Sequence, residues 1–456
     1  MRRGGIFAAA LALAGCAMVG PDYRRPDLAL PAAYPEAGEG TAASVPLQWW
    51  KLYDDAKLDE LVGSGLGRNA DVRLAAARVE EAEAALREAR AIRLVPEVDA
   101  QAGALRGRAA VSGQYATGNT FTLGLATSFE VDVWGRLRRG ERSVQDELLA
   151  SRYGRDTVAL TLAATIARTY FAALSLDSQY TASEEILRSA EDSLDLTRKR
   201  LEGGVGSNLD VYQAGTLRDV SSAQLKEIAR QRAMVQHELG VLTGNLDLVV
   251  PAKELHELPV PPLPPPGLPS QLLERRPDVR QAEAQLEAAT ERIGVARAAQ
   301  FPTLSLTGSA GLQSAELDSL LHPGSKVWSI GAGLLGPVID GGRYAARTQQ
   351  AEAQARQAEA VYQRAVENAF RDVSDALSNI RLGAQEDREL ASRLAQARSA
   401  LRLANLRYES GYSPFLEVLD AQRTLNLAQL EYIRNRQNYL SYTVDLMNAL
   451  GGGWTE

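Results

Sequence analysis

Small and apolar residues recur at helical spacing from Asp71 onward, at Leu74, Ala77, Val79, Ala82, Ala85 and Leu86, set among Glu and Arg. This spacing predicts a helix over about 71–94, closed by Val95-Pro96. A second run of the same kind covers about 278–300 and closes at Phe301-Pro302. Beyond each proline the period drops to two. Thr303-Leu304-Ser305-Leu306-Thr307-Gly308-Ser309-Ala310 alternates polar with apolar, as do Thr120–Leu125 and Trp328–Gly333. These stretches predict two strands within about 97–131 and two within about 303–336. Long helical patterns follow, with no proline from 97 to 250 or from 338 to 413. Residues 138–202 would make a helix about 95 Å long at 1.5 Å per residue. The pattern breaks at Gly203-Gly204-Val205-Gly206 and resumes over about 208–243; it breaks again at Ser410-Gly411-Tyr412-Ser413-Pro414.

The order of elements is the same twice, and the residues repeat with it. Gly135-Arg136 matches Gly342-Arg343, Arg200 matches Arg407, Gly204 matches Gly411, Asp210 matches Glu417 and Ala214 matches Ala421, each 207 positions on. The chain reads as a tandem duplication. The expected organisation is an export signal at 1–15, an N-terminal segment at 16–70, a first repeat at 71–250, a connector at 251–277 and a second repeat at 278–456. Residues 251–270 hold eight of the 19 prolines, which suits an extended linker.

Strands with Ser and Thr on one face and bulky apolar residues on the other suit a sheet between lipid and water. An open sheet edge is not tolerated in a bilayer, so such a sheet must close into a barrel. Four strands cannot close, because the smallest such barrels have eight. Several copies must then contribute: two would supply eight strands and three would supply twelve, and the arithmetic does not choose. The long Ala-rich helices must pack along their length, either as a solid coiled-coil bundle or as a hollow tube.

Composition narrows the chemistry. The net charge of −7, with no Lys/Arg block interleaved with aromatics, argues against nucleic-acid binding. Three scattered histidines and one cysteine leave little for a metal centre or a His-based catalyst, and no nucleophile–base motif, P-loop or HExxH stands out. The abundant carboxylates read as solvated helix faces, so no enzyme is expected. The lone cysteine, Cys16, follows Arg2-Arg3 and a short apolar run, Ile6–Ala14. That run is too short for a permanent membrane helix and reads as an export signal. Leu13-Ala14-Gly15-Cys16 resembles a bacterial lipobox, which implies cleavage before Cys16 and a covalent lipid on it. The following residue, Ala17, implies the outer membrane as the destination.

Four stretches carry a wider resemblance. They are Val19-Gly20-Pro21-Asp22-Tyr23 with Arg25-Pro26; Trp49-Trp50 with Leu52-Tyr53-Asp54-Asp55 and Leu58–Val62; Phe129-Glu130-Val131-Asp132-Val133-Trp134-Gly135-Arg136; and Gly336-Pro337 with Asp340-Gly341-Gly342-Arg343. Together they resemble the TolC-like outer-membrane efflux channels, and more closely the OprM/NodT-type lipoprotein branch. The resemblance spans essentially the whole chain beyond the signal. It implies an α+β membrane protein: a homotrimer whose four strands per chain form one 12-stranded barrel, continuous with a periplasmic helical tube. It further implies a periplasmic adaptor and an inner-membrane transporter of the resistance–nodulation–division type as partners, outer-membrane lipid around the barrel, and no cofactor beyond the lipid on Cys16. Drugs or other small toxic compounds would leave through the lumen. Peptide or protein secretion and metal-ion efflux are the alternative cargoes.

The resemblance also carries site residues. Leu416, Glu417, Asp420 and Arg423 match the family's periplasmic constriction, and Tyr408 matches the tyrosine on the preceding helix. Read as residues alone, the same acids could simply cap a helix, with Asp420 and Arg423 as an i,i+3 pair. Gly204, Val205 and Gly206, with Gly411, Tyr412 and Ser413, are expected to form the adaptor-facing turns, or merely to reverse the chain. Two departures stand out: Gln213 lies opposite Asp420, and Ser413 replaces the arginine of the TolC-type lock.

Overall fold

A computed structural model describes residues 18–34, 46–111, 114–251, 253, 255, 258–262 and 272–452. The export signal, Cys16 and residues 263–271 of the connector lie outside the described residues. The longer helices are α1 (Ala56–Arg68), α2 (Ala70–Leu94), α3 (Arg136–Glu202), α4 (Asn208–Thr243), α5 (Pro277–Ala298), α6 (Arg343–Glu409) and α7 (Phe415–Ala449). The strands are β1 (Glu97–Val111), β2 (Gln114–Val131), β3 (Thr303–Ser314) and β4 (Lys326–Leu335). α3 and α6 are each 67 residues long and start 207 positions apart, at Arg136 and Arg343.

The chain divides into two compact units, and each takes segments from both repeats. One comprises the described part of Met1–Leu28 with Ala77–Tyr153 and Gln281–Arg364. The other comprises Ala29–Ala76, Gly154–Arg280 and Ala365–Glu456.

The first unit holds the sheet, whose strands run in the order β1-β2-β3-β4, all antiparallel. Cross-strand partners share a face, and faces alternate along each strand. The register puts Leu123, Leu125, Phe129, Leu304, Leu306, Leu312, Trp328, Ile330 and Leu334 on one face. The other face carries Thr122, Ser128, Ser305, Thr307, Ser309 and Ser329, and the Ser309 and Ser329 hydroxyls lie 2.8 Å apart. Leu105, Val327 and Leu335, all on the outer strands, are apolar exceptions on that polar face. Gly124 and Gly311 sit opposite each other; a Cβ on Gly311 would lie 2.5 Å from the Leu123 carbonyl oxygen, so only glycine permits this approach.

The strand-to-helix junctions explain the recurring motifs. Asp132 accepts hydrogen bonds from the Leu137 and Arg138 amides, satisfying the first free donors of α3, and Asp340 does the same at α6 through the Gly342 and Tyr344 amides. Glu130 holds Arg136 through two hydrogen bonds, and Trp134 stacks on Phe301 and donates to the Pro302 carbonyl at 2.7 Å. The N-terminal strap of the same unit is fixed by charge. Arg139, 1% exposed, donates to Glu291 at 2.9 Å and to Asp22 at 2.9 Å. Tyr23 and Arg25 both donate to Glu283. Gly20 meets Gly294 so closely that a Cβ on Gly20 would come within 2.5 Å of the Gly294 Cα.

The second unit holds the main apolar core. Trp49, Trp50 and Tyr53 pack with Leu58, Leu61 and Val62 of α1 against Ile166, Tyr170, Phe171 and Leu174 of α3 and Leu440, Val444 and Met447 of α7. Asp55 caps α1 by accepting from the Lys57 and Leu58 amides, and also accepts from Tyr170 Oη and Lys253 Nζ. These partners hold its carboxyl below the usual range against the opposing effect of burial. The Trp-Trp and Asp-Asp-x-x-Leu stretch is therefore a core plug with a helix cap attached.

Candidate functional site

Two helix reversals in the second unit bring the candidate residues into one neighbourhood. Each long helix ends in a left-handed glycine, Gly204 (φ +74°) after α3 and Gly411 (φ +76°) after α6. In each turn the next amide reaches back five residues: Val205 N–H to the Arg200 carbonyl at 2.9 Å, and Tyr412 N–H to the Arg407 carbonyl at 2.8 Å. Both are Schellman-type caps, in which glycine takes a backbone conformation that side chains resist. The turns present Val205 and Tyr412 to solvent, Tyr412 being 82% exposed, whereas Ser413 is buried.

The reversals are joined by an apolar cluster: Ala190 and Leu194 of α3, Ala214 and Leu217 of α4, Ala404 and Tyr408 of α6, and Phe415, Val418 and Leu419 of α7. Tyr408 belongs to this cluster, only 7% exposed, with its ring 5.5 Å from that of Phe415. The Arg200 guanidinium lies 4.3 Å from the centre of the Tyr408 ring, and its Nη1 donates to the Tyr408 carbonyl at 3.0 Å. A cation over an aromatic face contributes about 0.5–2 kcal/mol. Sequence reasoning matched Arg200 only to Arg407 and missed this role; the signal available was its place in the repeat, one residue before the counterpart of Tyr408.

The acidic stretch lies at the start of α7. Leu416, Glu417, Asp420 and Arg423 are all exposed, on the opposite side of the helix from buried Phe415, Val418, Leu419 and Gln422. Glu417 pairs with Arg407 at 3.3 Å. Asp420 and Arg423 form no ion pair with each other. Arg423 instead lines a groove of about 620 Å³ with Leu217, Val220 and Leu427. Gln422 donates to the Ser189 hydroxyl at 2.8 Å, tying α7 to α3.

The two repeats diverge here in a way that the local chemistry explains. In the first, Ser207 caps α4: its hydroxyl accepts from the Asp210 amide, and the Asp210 carboxylate accepts from the Ser207 amide. This capping box uses Asp210 locally. In the second, Pro414 replaces Ser207 and offers neither hydroxyl nor amide hydrogen. Glu417 is thereby released from capping its own helix end.

Known proteins agree with this arrangement. The family model for outer membrane efflux proteins matches residues 61–244 and again residues 268–452. The toluene efflux pump outer membrane protein TtgF of Pseudomonas putida is 33% identical over 471 residues, covering 98% of this chain and 96% of the relative. Outer membrane protein OprJ of Pseudomonas aeruginosa is 34% identical over 464 residues, covering 98% and 95%. Among solved structures, the open state of the Neisseria gonorrhoeae MtrE outer membrane channel superimposes with a TM-score of 0.87 at 28% identity, covering 96% of this chain and 98% of that one. With both repeats matched and the sheet, long helices and reversals in place, the chain belongs to the outer membrane efflux protein family, whose members are channels and not enzymes.

Proposed function

We propose that the chain is the outer-membrane exit duct of a tripartite efflux system, acting as a homotrimer. Three copies supply twelve strands, and each sheet turns its apolar face to lipid and its Ser/Thr face to a water-filled lumen. The observation that carries this reading is the sheet itself: two-faced, four-stranded and open at both edges, in a chain of this family. An edge of unpaired amides and carbonyls is stable in a bilayer only when another copy covers it. The periplasmic end docks a periplasmic adaptor through the turns at Gly204–Gly206 and Gly411–Ser413, and the adaptor couples it to an inner-membrane transporter of the resistance–nodulation–division type. Leu416, Glu417, Asp420 and Arg423 ring the lumen at that end, and Tyr408, held under Arg200, positions the helix that bears them. A lipid on Cys16 supplements the barrel as an anchor, since stable anchoring takes more than one hydrophobic signal.

The cargo is small and toxic, of the solvent or antibiotic kind named for the relatives; one is a toluene pump component and another an antibiotic pump component. A deletion strain plated on a panel of solvents, dyes and antibiotics is the test. Hypersensitivity restored by a plasmid copy is expected. Full resistance to every compound would remove small-molecule efflux as the function.

A further inference from the structure

Two strands of the sheet have an open side, β1 and β4, and every residue of β4 is exposed. Apolar side chains run along β4 at Trp328, Ile330 and Leu334 and continue beyond its end to Val338, which is 95% exposed. The internal repeat indicates what such an edge meets. β2 and β4 correspond at an offset of 207, as Gly135 does to Gly342, and β1 and β3 at an offset of 206, as Pro96 does to Pro302. These two offsets carry one hairpin onto the other pair for pair. Glu97↔Ser128 becomes Thr303↔Leu335, and Ala102↔Leu123 becomes Gly308↔Ile330. The β2–β3 ladder is thus a template for the one ladder a single chain cannot make.

We propose that β4 of one copy pairs antiparallel with β1 of a second copy in the register of that template. Advancing β2 by one offset and moving β3 back by the other turns Val131↔Leu304 into Val338↔Val98, and Thr127↔Gly308 into Leu334↔Ala102. Ala126↔Ser309 likewise becomes Gly333↔Gly103, and Phe121↔Ser314 becomes Trp328↔Arg108. The inference rests on the shared-barrel reading and adds the register to it.

Three features of the molecule fit this register. Apolar-face residues meet apolar-face residues across the seam, and a slip of one would turn Trp328 and Ile330 onto the polar face. Val338, bare beyond the end of β4, comes to lie on Val98, itself an exposed apolar residue. Trp328 comes opposite Arg108, whose guanidinium already lies 5.6 Å from the Tyr115 ring centre on its other side, so the cation is held between two aromatic faces.

Cysteine cross-linking tests the register, and Cys16 is the only native cysteine, so the parent chain serves as the blank. Two double variants sample adjacent pairs, Leu334→Cys with Ala102→Cys and Gly333→Cys with Gly103→Cys. Adjacent antiparallel pairs alternate between closer and wider spacing, so one of the two is the closer kind. Within one chain the two positions lie three strand spacings apart across the sheet, about 14 Å, and eight residues apart along it, far beyond disulfide reach, so any link joins two chains. Leu334→Cys with Ala100→Cys or with Ala104→Cys tests a slip of two. Outer-membrane fractions are oxidised and run on denaturing gels without reductant. A ladder of covalent multimers from a template pair, with none from the slipped pairs, is expected. A ladder from a slipped pair alone overturns the register and leaves the shared barrel standing. No ladder from any pair, in protein that reaches the outer membrane, overturns both.

Discussion

Asp210 and Glu417 occupy corresponding places, yet one closes a capping box and the other pairs across a turn with Arg407. The difference goes with the helix cap, serine in one repeat and proline in the other, and with the arginine before it, since Arg200 is held on Tyr408 while Arg407 reaches Glu417. Glu417, paired with Arg407, and Asp420 are both exposed on α7 and are the acids we propose to face the lumen. Replacing both by alanine is expected to raise the single-channel conductance of purified trimers in planar bilayers; conductance equal to that of the parent would remove them from the constriction. A second prediction concerns Asp146 on α3. Burial, then the charges of Glu287 and Glu291, push its carboxyl up to about 7, with Arg142 opposing and Glu147 adding to the shift. The folded state therefore binds this proton more tightly than the unfolded chain does. The cost of ionising Asp146 is absent below about pH 4, grows as pH rises and is complete above about pH 7. Asp146→Asn is expected to raise the melting temperature at pH 8 and to leave it unchanged at pH 4. An equal gain at both values would refute the assignment.

Among the elements, the sheet is the most sharply specified. The alternation of Ser/Thr with Leu along β3 was legible in the sequence because a period of two admits only one pair of faces. Helix limits were equally legible, since proline, glycine and acidic caps mark them: the expected 71–94 and 208–243 correspond to Ala70–Leu94 and Asn208–Thr243. Side-chain partnerships across long sequence separations were not legible. The repeat sets Arg200 one residue before the counterpart of Tyr408 but does not announce the stacking, and nothing in the spacing announces that Arg139 joins Asp22 to Glu291, because these partners share neither a helix nor a turn. The Gly124–Gly311 contact is of the same kind, and it yields a prediction. Gly311→Val places side-chain atoms against the Leu123 carbonyl, in a ladder that cannot move without breaking its neighbours. A cost of about 1–3 kcal/mol is expected, seen as a lower melting temperature of the purified protein and less of it assembled in the outer membrane. Normal assembly would show that β2 and β3 do not approach as described.

At the scale of the whole molecule, the repeat and the physical units are different divisions of the chain. Each compact unit is assembled from both repeats. In one, the β2–β3 ladder joins first-repeat strand to second-repeat strand; in the other, Arg168 of the first repeat donates to Asp445 of the second at 2.6 Å. The main apolar core draws on both repeats, although the family model matches each of them separately. The peptide bond between the repeats is therefore expected to be dispensable when the halves are made together. Two plasmids, one encoding the chain to Pro262 and the other encoding an exported Leu272 onward, should complement a deletion strain jointly, and neither should do so alone.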